Sequence, residues 1–235
     1  MILSIFIPEI AWMFAITVFI AFVVILIVFY IKGRVQSNML NIKCDPEKYL
    51  ELIDKQEKRY QKNKSGMNYL AINRSVGNML LGDIFTAKEY LMEVDTSCLS
   101  ERNMSCLIYT IDLILCHYML GEIEQAERLY ETNMVRLSPL GKRYRIIVDL
   151  LIGERYYFLG KYSLSYEYLS KIPKYDLNKR QYLSVLYTLA KIDVMNGDIE
   201  QAVIKLQKVV KHGNKLYIVK ESQEILENLK TELSQ

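Results

Sequence analysis

Four short segments of this chain are written in one frame. They are "LLGDIFTAKEYL" (80–91), "MLGEIEQAERLY" (119–130), "FLGKYSLSYEYL" (158–169) and "MNGDIEQAVIKL" (195–206). Their glycines, Gly82, Gly121, Gly160 and Gly197, lie 39, 39 and 37 residues apart. Two residues after each glycine comes Ile84, Ile123, Tyr162 or Ile199, five after comes Ala87, Ala126, Ser165 or Ala202, and nine after comes Leu91, Tyr130, Leu169 or Leu206. Glycine ends a helix in the left-handed conformation without a Cβ penalty. The residue after it is acidic in three of the four segments, which suits the start of a new helix. A small residue at the fifth place lets two helices approach, and the apolar positions form one face of the second helix. Each glycine is therefore predicted to be a turn inside a helical hairpin. A period of 20–50 residues marks a solenoid, whose units stack to bury a continuous core. Sustained strand alternation is absent from the sequence.

This frame resembles the tetratricopeptide repeat, over roughly residues 67–212, with "GEIEQA" (121–126) and "GDIEQA" (197–202) the nearest matches. Gly153 and Ala190, each seven before a turn glycine, fit that family's small position in the first helix; Ser75 is tolerable there and Ile114 departs from it. Arg74, Asp149 and Asp193 stand where the family usually has apolar residues, and the period exceeds the family's usual length of about 34. The resemblance implies that the first helices of successive hairpins line a concave groove, faced by positions ten, six and three before each glycine. Those are Ile72, Val76 and Met79; Ile111, Leu115 and Tyr118; Leu150, Glu154 and Tyr157; and Tyr187, Lys191 and Val194. The set lacks the Lys/Asn constellation that grips a C-terminal carboxylate in the chaperone-binding members of that family. An apolar, tyrosine-bearing groove suits an amphipathic helix or an extended peptide with hydrophobic anchors. The same residues also admit a reading as inter-helix packing.

Ahead of the repeats, residues 10–31, "IAWMFAITVFIAFVVILIVFYI", hold no charge, Pro or Gly. As a helix they measure roughly 33 Å, enough to cross a hydrocarbon core of about 30 Å. Trp12 and Tyr30 stand near the two ends, where amphipathic aromatics favour the interface. A cleaved signal peptide would want a basic leader and a small-residue cleavage site. Residues 1–9 hold no Lys or Arg, and no A-x-A follows the span, so an uncleaved anchor is expected. Lys32, Arg34, Lys43 and Lys48 all follow it, and the positive-inside rule then sets the N-terminus outside and the rest in the cytoplasm.

The expected organisation is all-α. A transmembrane anchor (1–32) and a polar connector (33–44) precede an α-solenoid of about four tetratricopeptide-like hairpins (45–235). Asp45, Pro46 and Glu47 begin an added helix over 45–63, and residues 216–233 read as an amphipathic C-terminal cap. Loops are expected near 96–102, 137–141, 173–178 and 212–215.

The residues point away from chemistry. A net charge of +3 without a strong basic cluster argues against nucleic acid as a partner. Cys44, Cys98, Cys106 and Cys116 match no zinc spacing, and His117 and His212 do not complete a ligand set. No P-loop, H-E-x-x-H motif or nucleophile elbow is present. Cys116 and His117 are adjacent, so on a helix they point about 100° apart and cannot easily form a thiol–imidazole pair. No catalytic, metal or cofactor-binding residue is expected. The expected function is a single-pass membrane adaptor that binds a protein or peptide, with the bilayer engaged through residues 10–31. A peptide-responsive regulator or assembly factor is the alternative.

Overall fold

All four frame glycines are left-handed, with φ of 86°, 76°, 69° and 81° at Gly82, Gly121, Gly160 and Gly197. Each ends a helix with the same two backbone bonds. At the first, Gly82 N–H donates to Met79 O and Asp83 N–H to Asn78 O. The pair is repeated by Gly121 and Glu122, by Gly160 and Lys161, and by Gly197 and Asp198. This is the Schellman closure, which satisfies carbonyls that a helix end would otherwise leave open.

The computed structural model describes residues 3–61, 63–99, 104–137 and 142–233, and among them there is no strand. The chain divides into two compact units, residues 1–38 and 39–235. The first is formed by helix α1 (Leu3–Asn41), whose last three residues belong to the second unit. It is long and apolar enough to cross a membrane by length and composition, and its large side chains from Trp12 to Ile31, Val23 apart, are exposed. The connector expected over 33–44 is helical as far as Asn41. Nothing in "GRVQSNMLN" breaks a helix except Gly33, which costs only about 1 kcal/mol. The helix ends where Cys44 turns left-handed (φ 54°) and Asp45 N–H bonds back to Met39 O at 2.9 Å.

The second unit continues with α2 (Pro46–Asp54), α3 (Glu57–Tyr60), α4 (Lys64–Leu81), α5 (Ile84–Met92), α6 (Met104–Met119), α7 (Ile123–Leu137), α8 (Lys142–Phe158), α9 (Tyr162–Ser170), α10 (Lys179–Asn196), α11 (Ile199–His212) and α12 (Tyr217–Leu233). The helix expected over 45–63 is thus two helices, interrupted by a turn at Lys55 and Gln56. Asp45 caps α2 through Lys48 N–H at 3.0 Å, and Asp83 caps α5 through Thr86 N–H at 3.1 Å. Short 3₁₀ turns at Thr96–Cys98 and Lys174–Asp176 fall in two of the expected loops. Residues 100–102 and 138–141 of the expected loops lie outside the described residues.

Helices flanking each frame glycine pack on each other: α4 with α5, α6 with α7, α8 with α9, and α10 with α11. The small positions make this close approach possible. Ser75, Ala87, Ala126, Ser165, Ala190 and Ala202 are all buried. At Gly153 a Cβ would stand 2.4 Å from Leu169 Cδ2, so the α8–α9 contact depends on having no side chain there. Ile114, the departure from the small-residue pattern, is also fully buried. The charged departures are paired. Arg74 bridges Asp54 and Glu57 from α4 to the α2–α3 segment, and Asp193, 2% exposed, meets Lys205 of the next helix. A carboxylate buried that deeply without a partner would cost several kcal/mol.

Neighbouring pairs are also in contact: α6 packs on α4 and α5, α8 on α6, and α10 on α8 and α9. Within the second unit, the last helices meet residues 40–80. One apolar cluster joins Leu40, Cys44, Tyr49, Ile53, Leu70 and Leu80 to Leu183, Leu186, Leu206, Leu216 and Leu229. Polar contacts follow the same seam: Lys215 N–H donates to Cys44 O at 3.2 Å, Asn214 Nδ2 to Lys43 O at 2.9 Å, and Lys215 Nζ pairs with Glu47.

Candidate functional site

Helix α10 shows the site most directly. Its residues Leu183, Val185, Leu186, Leu189, Ala190 and Ile192 are buried in apolar surroundings. Arg180, Ser184, Tyr187, Thr188 and Lys191 recur at spacings of 4, 3, 1 and 3. At 3.6 residues per turn those steps keep them on one stripe. The stripe faces a cavity of about 210 Å³. Across from it, α4 contributes Val76, Met79 and Leu80; α6 contributes Ile111, Asp112, Leu115 and Met119; α8 contributes Ile147, Leu150, Leu151, Glu154 and Phe158; and α12 contributes Tyr217 and Ile218. The cavity therefore has one polar wall and several largely apolar ones.

The ionisable groups in it are unusually placed. Asp112 borders the cavity, and its Oδ2, sealed from bulk water, has no hydrogen-bond partner. Burial pushes its carboxyl up to about 7, against a weaker lowering pull from Arg180. Arg180 is itself held below its ordinary value by burial, and its Nε donates to Asn41 Oδ1 at 3.2 Å. That bond uses one of the five guanidinium donors. Asp112 and Arg180 attract each other through space without a hydrogen bond between them.

A second acid and base sit about three turns farther along α10. Glu154 accepts a hydrogen bond from Thr188 Oγ1 at 2.8 Å, and burial raises its carboxyl. Lys191 Nζ lies between two rings, 4.4 Å from the centroid of Tyr157 and 4.3 Å from that of Tyr187. Burial lowers this amine, opposed by Glu154 and Glu221. Aromatic faces partly replace the water that a buried ammonium loses. The Tyr187 hydroxyl donates to Glu221 of α12 and is pushed well above its ordinary value, first by burial and then by that bond. Tyr217 stands edge-on to Tyr187 at 6.4 Å.

Of the twelve residues expected to face a groove, Val76, Met79, Ile111, Leu115, Leu150, Glu154, Tyr187 and Lys191 border this cavity. The other four are elsewhere. Ile72 packs with Ala71 and Val94 in a separate cluster. Tyr118, 2% exposed, stacks on Phe158 with ring centroids 5.3 Å apart and donates to Glu127, which also pairs with Arg155. Tyr157 supports Lys191 from behind. Val194 packs on the cluster that joins residues 40–80 to the last helices of the second unit. Sequence reasoning did not single out Asp112, Arg180, Ser184 or Thr188. Their signal was present for α10, since a polar stripe inside an otherwise apolar helix is legible from the 3.6 period.

Outside the cavity, the adjacent Cys116 and His117 do not form a thiol–imidazole pair. Cys116 is buried, and burial pushes its thiol up to about 12, far from a reactive thiolate. His117 pairs with Glu122, which also takes Lys88, so the adjacent thiol and imidazole engage different neighbours. Among the described residues no group of three or more His, Cys, Asp or Glu could hold a metal. No family model matches this chain, and no curated protein matches it.

Proposed function

We propose that this protein is a membrane-anchored, tetratricopeptide-like binding module that captures a protein or peptide partner and performs no chemistry itself. The observation that carries this reading is the shared cavity. Helices α4, α6, α8 and α10, each the first of its pair, present residues to one space, with α12 added. Concave, mostly apolar sites with a few convergent polar groups are the usual form of binding sites. The long apolar α1 supports membrane attachment, and the basic residues after it favour a cytoplasmic location for the second unit. Confinement near one plane would raise the effective concentration of partners.

The test uses a photo-crosslinking side chain at Ser184, inside the cavity, and at Phe85, which is 66% exposed on α5. In the native host, Ser184 should yield discrete crosslinked partners that Phe85 does not. Absence of a Ser184-specific product would remove the support for capture in this cavity. Alkaline extraction should leave the full chain in the membrane fraction, and release would contradict the anchor. Labelling of a cysteine placed near residue 60 from the outer face of intact cells would reverse the orientation.

One observation favours a second reading, that of a ligand-responsive regulator. The cavity wall includes α12, and the Tyr187–Glu221 bond links that helix to the polar stripe. Occupancy would then be felt along α12 and at the seam with the first helices. Changed hydrogen exchange in both places on partner binding would distinguish a responsive module from a passive one.

A further inference from the structure

We propose that the cavity binds a small zwitterion with an apolar body, of the apolar α-amino acid class, its ammonium at the Asp112 carboxylate and its carboxylate at the Arg180 guanidinium. This rests on reading the cavity as a binding site but not on capture of a macromolecule. Three observations combine. First, an acid and a base border one space, feel each other's charge, and do not join. Both side chains are part-buried, and opposite charges that lose water normally close on each other, because separating them there is costly. Second, Asp112 Oδ2 has no hydrogen-bond partner, whereas buried carboxylates normally find donors. Third, Arg180 has spent only its Nε on Asn41. The site therefore sets an unpaired carboxyl and a set of guanidinium donors on the border of one cavity.

The rest of the cavity selects among ligands that would satisfy both. A purely cationic ligand would meet Asp112 but face the Arg180 charge. A purely anionic one would meet Arg180 but face Asp112. A molecule with both charges satisfies each and adds no net charge to a buried space. Val76, Ile111, Ile147 and Leu150 give its side chain an apolar wall. Arginine presents a planar fork suited to a carboxylate. Glu154 and Lys191 are already engaged, with Thr188 and with two tyrosine rings, so they are the less available couple.

The experiment measures ligand binding by the purified full-length protein in non-ionic detergent, by isothermal titration and by thermal shift. The probes are leucine, leucinamide, N-acetyl-leucine, N-acetyl-leucinamide and leucyl-leucine. Leucine should bind at least tenfold more tightly than either single-charge analogue, and the neutral analogue should bind weakest. The dipeptide arm sets the charge spacing: if it outranks leucine, the ligand is a short peptide zwitterion of the same chemistry. Asp112→Asn should reduce leucine binding at least tenfold while sparing N-acetyl-leucine. Arg180→Gln should do the converse, sparing leucinamide. The wild-type ranking needs no variant to fold. Equal binding of all five probes, or none, overturns the proposal, because water or apolar contact alone would then account for the site. If no zwitterion binds while the Ser184 crosslink persists, the ligand assignment falls and the capture reading stands. If leucine binds and no crosslink forms, the reverse holds.

Discussion

At the residue scale, Asp112 concentrates what is unusual about this molecule. Nothing around it in "TIDLILC" distinguishes it from a solvated carboxylate, because the residues that seal it come from other helices. Its folded value of about 7 stands well above the ordinary 3.8. An acid of this kind holds more protons folded than unfolded, so stability falls as pH rises from about 4 through 7. A shift of that size corresponds to at most about 4 kcal/mol at high pH. The groups facing it do not blur the profile: Arg180 stays charged, and the Cys116 thiol stays neutral to about 12. Asp112→Asn removes the titration while keeping the shape. Without ligand, its stability relative to wild type should rise by roughly 2–3 kcal/mol between pH 5 and pH 8. Urea unfolding in detergent at those two values measures it. A pH-independent difference would mean that Asp112 is better solvated than its setting implies.

At the scale of elements, the glycine frame was legible because the turn is a local event. A left-handed residue is needed, glycine supplies it, and the closing bonds lie within six residues. The same locality makes the cost of replacement calculable. Alanine at Gly197 meets no atom within 4 Å, so only backbone strain remains, about 1–2 kcal/mol. Alanine at Gly82 carries the same strain and also brings its Cβ to 3.0 Å from Tyr217 Cβ. Gly82→Ala should therefore destabilise more than Gly197→Ala and should speed hydrogen exchange at the start of α12. Equal effects would show that the α4–α12 approach is loose. Where the sequence was silent, the missing information was not local. Polar composition over 33–44 marks a connector but does not say whether it is helical, and it is helical as far as Asn41 because polarity does not end a helix. The cavity stripe on α10 obeys helical period, but its meaning required knowing that α6 and α12 lie across from it.

At the scale of the whole second unit, the contact between residues 40–80 and the last helices is the longest-range join in the sequence. No sequence period encodes that contact, since it joins residues about 170 apart through both apolar and polar groups. The two kinds of contact are not equal in weight. Lys215 is 45% exposed and its partner Glu47 56%, so solvent screens most of their attraction. Leu216, 2% exposed, lies in the cluster shared by both ends, and its truncation should cost about 2–5 kcal/mol. Two buried thiols report on whether that loss is local. Cys44 lies in the shared cluster, whereas Cys116 packs with Met79, Ile84, Ala87 and Leu91 in another. With Cys98 and Cys106 replaced by serine, Leu216→Ala should speed thiol labelling of Cys44 at least tenfold and leave Cys116 nearly unchanged. Lys215→Ala should change neither rate by more than a few-fold. If both thiols accelerate together, the seam and the helical pairs unfold as one cooperative body. If only Cys44 responds, the seam is a separable joint that opens without disturbing the paired helices.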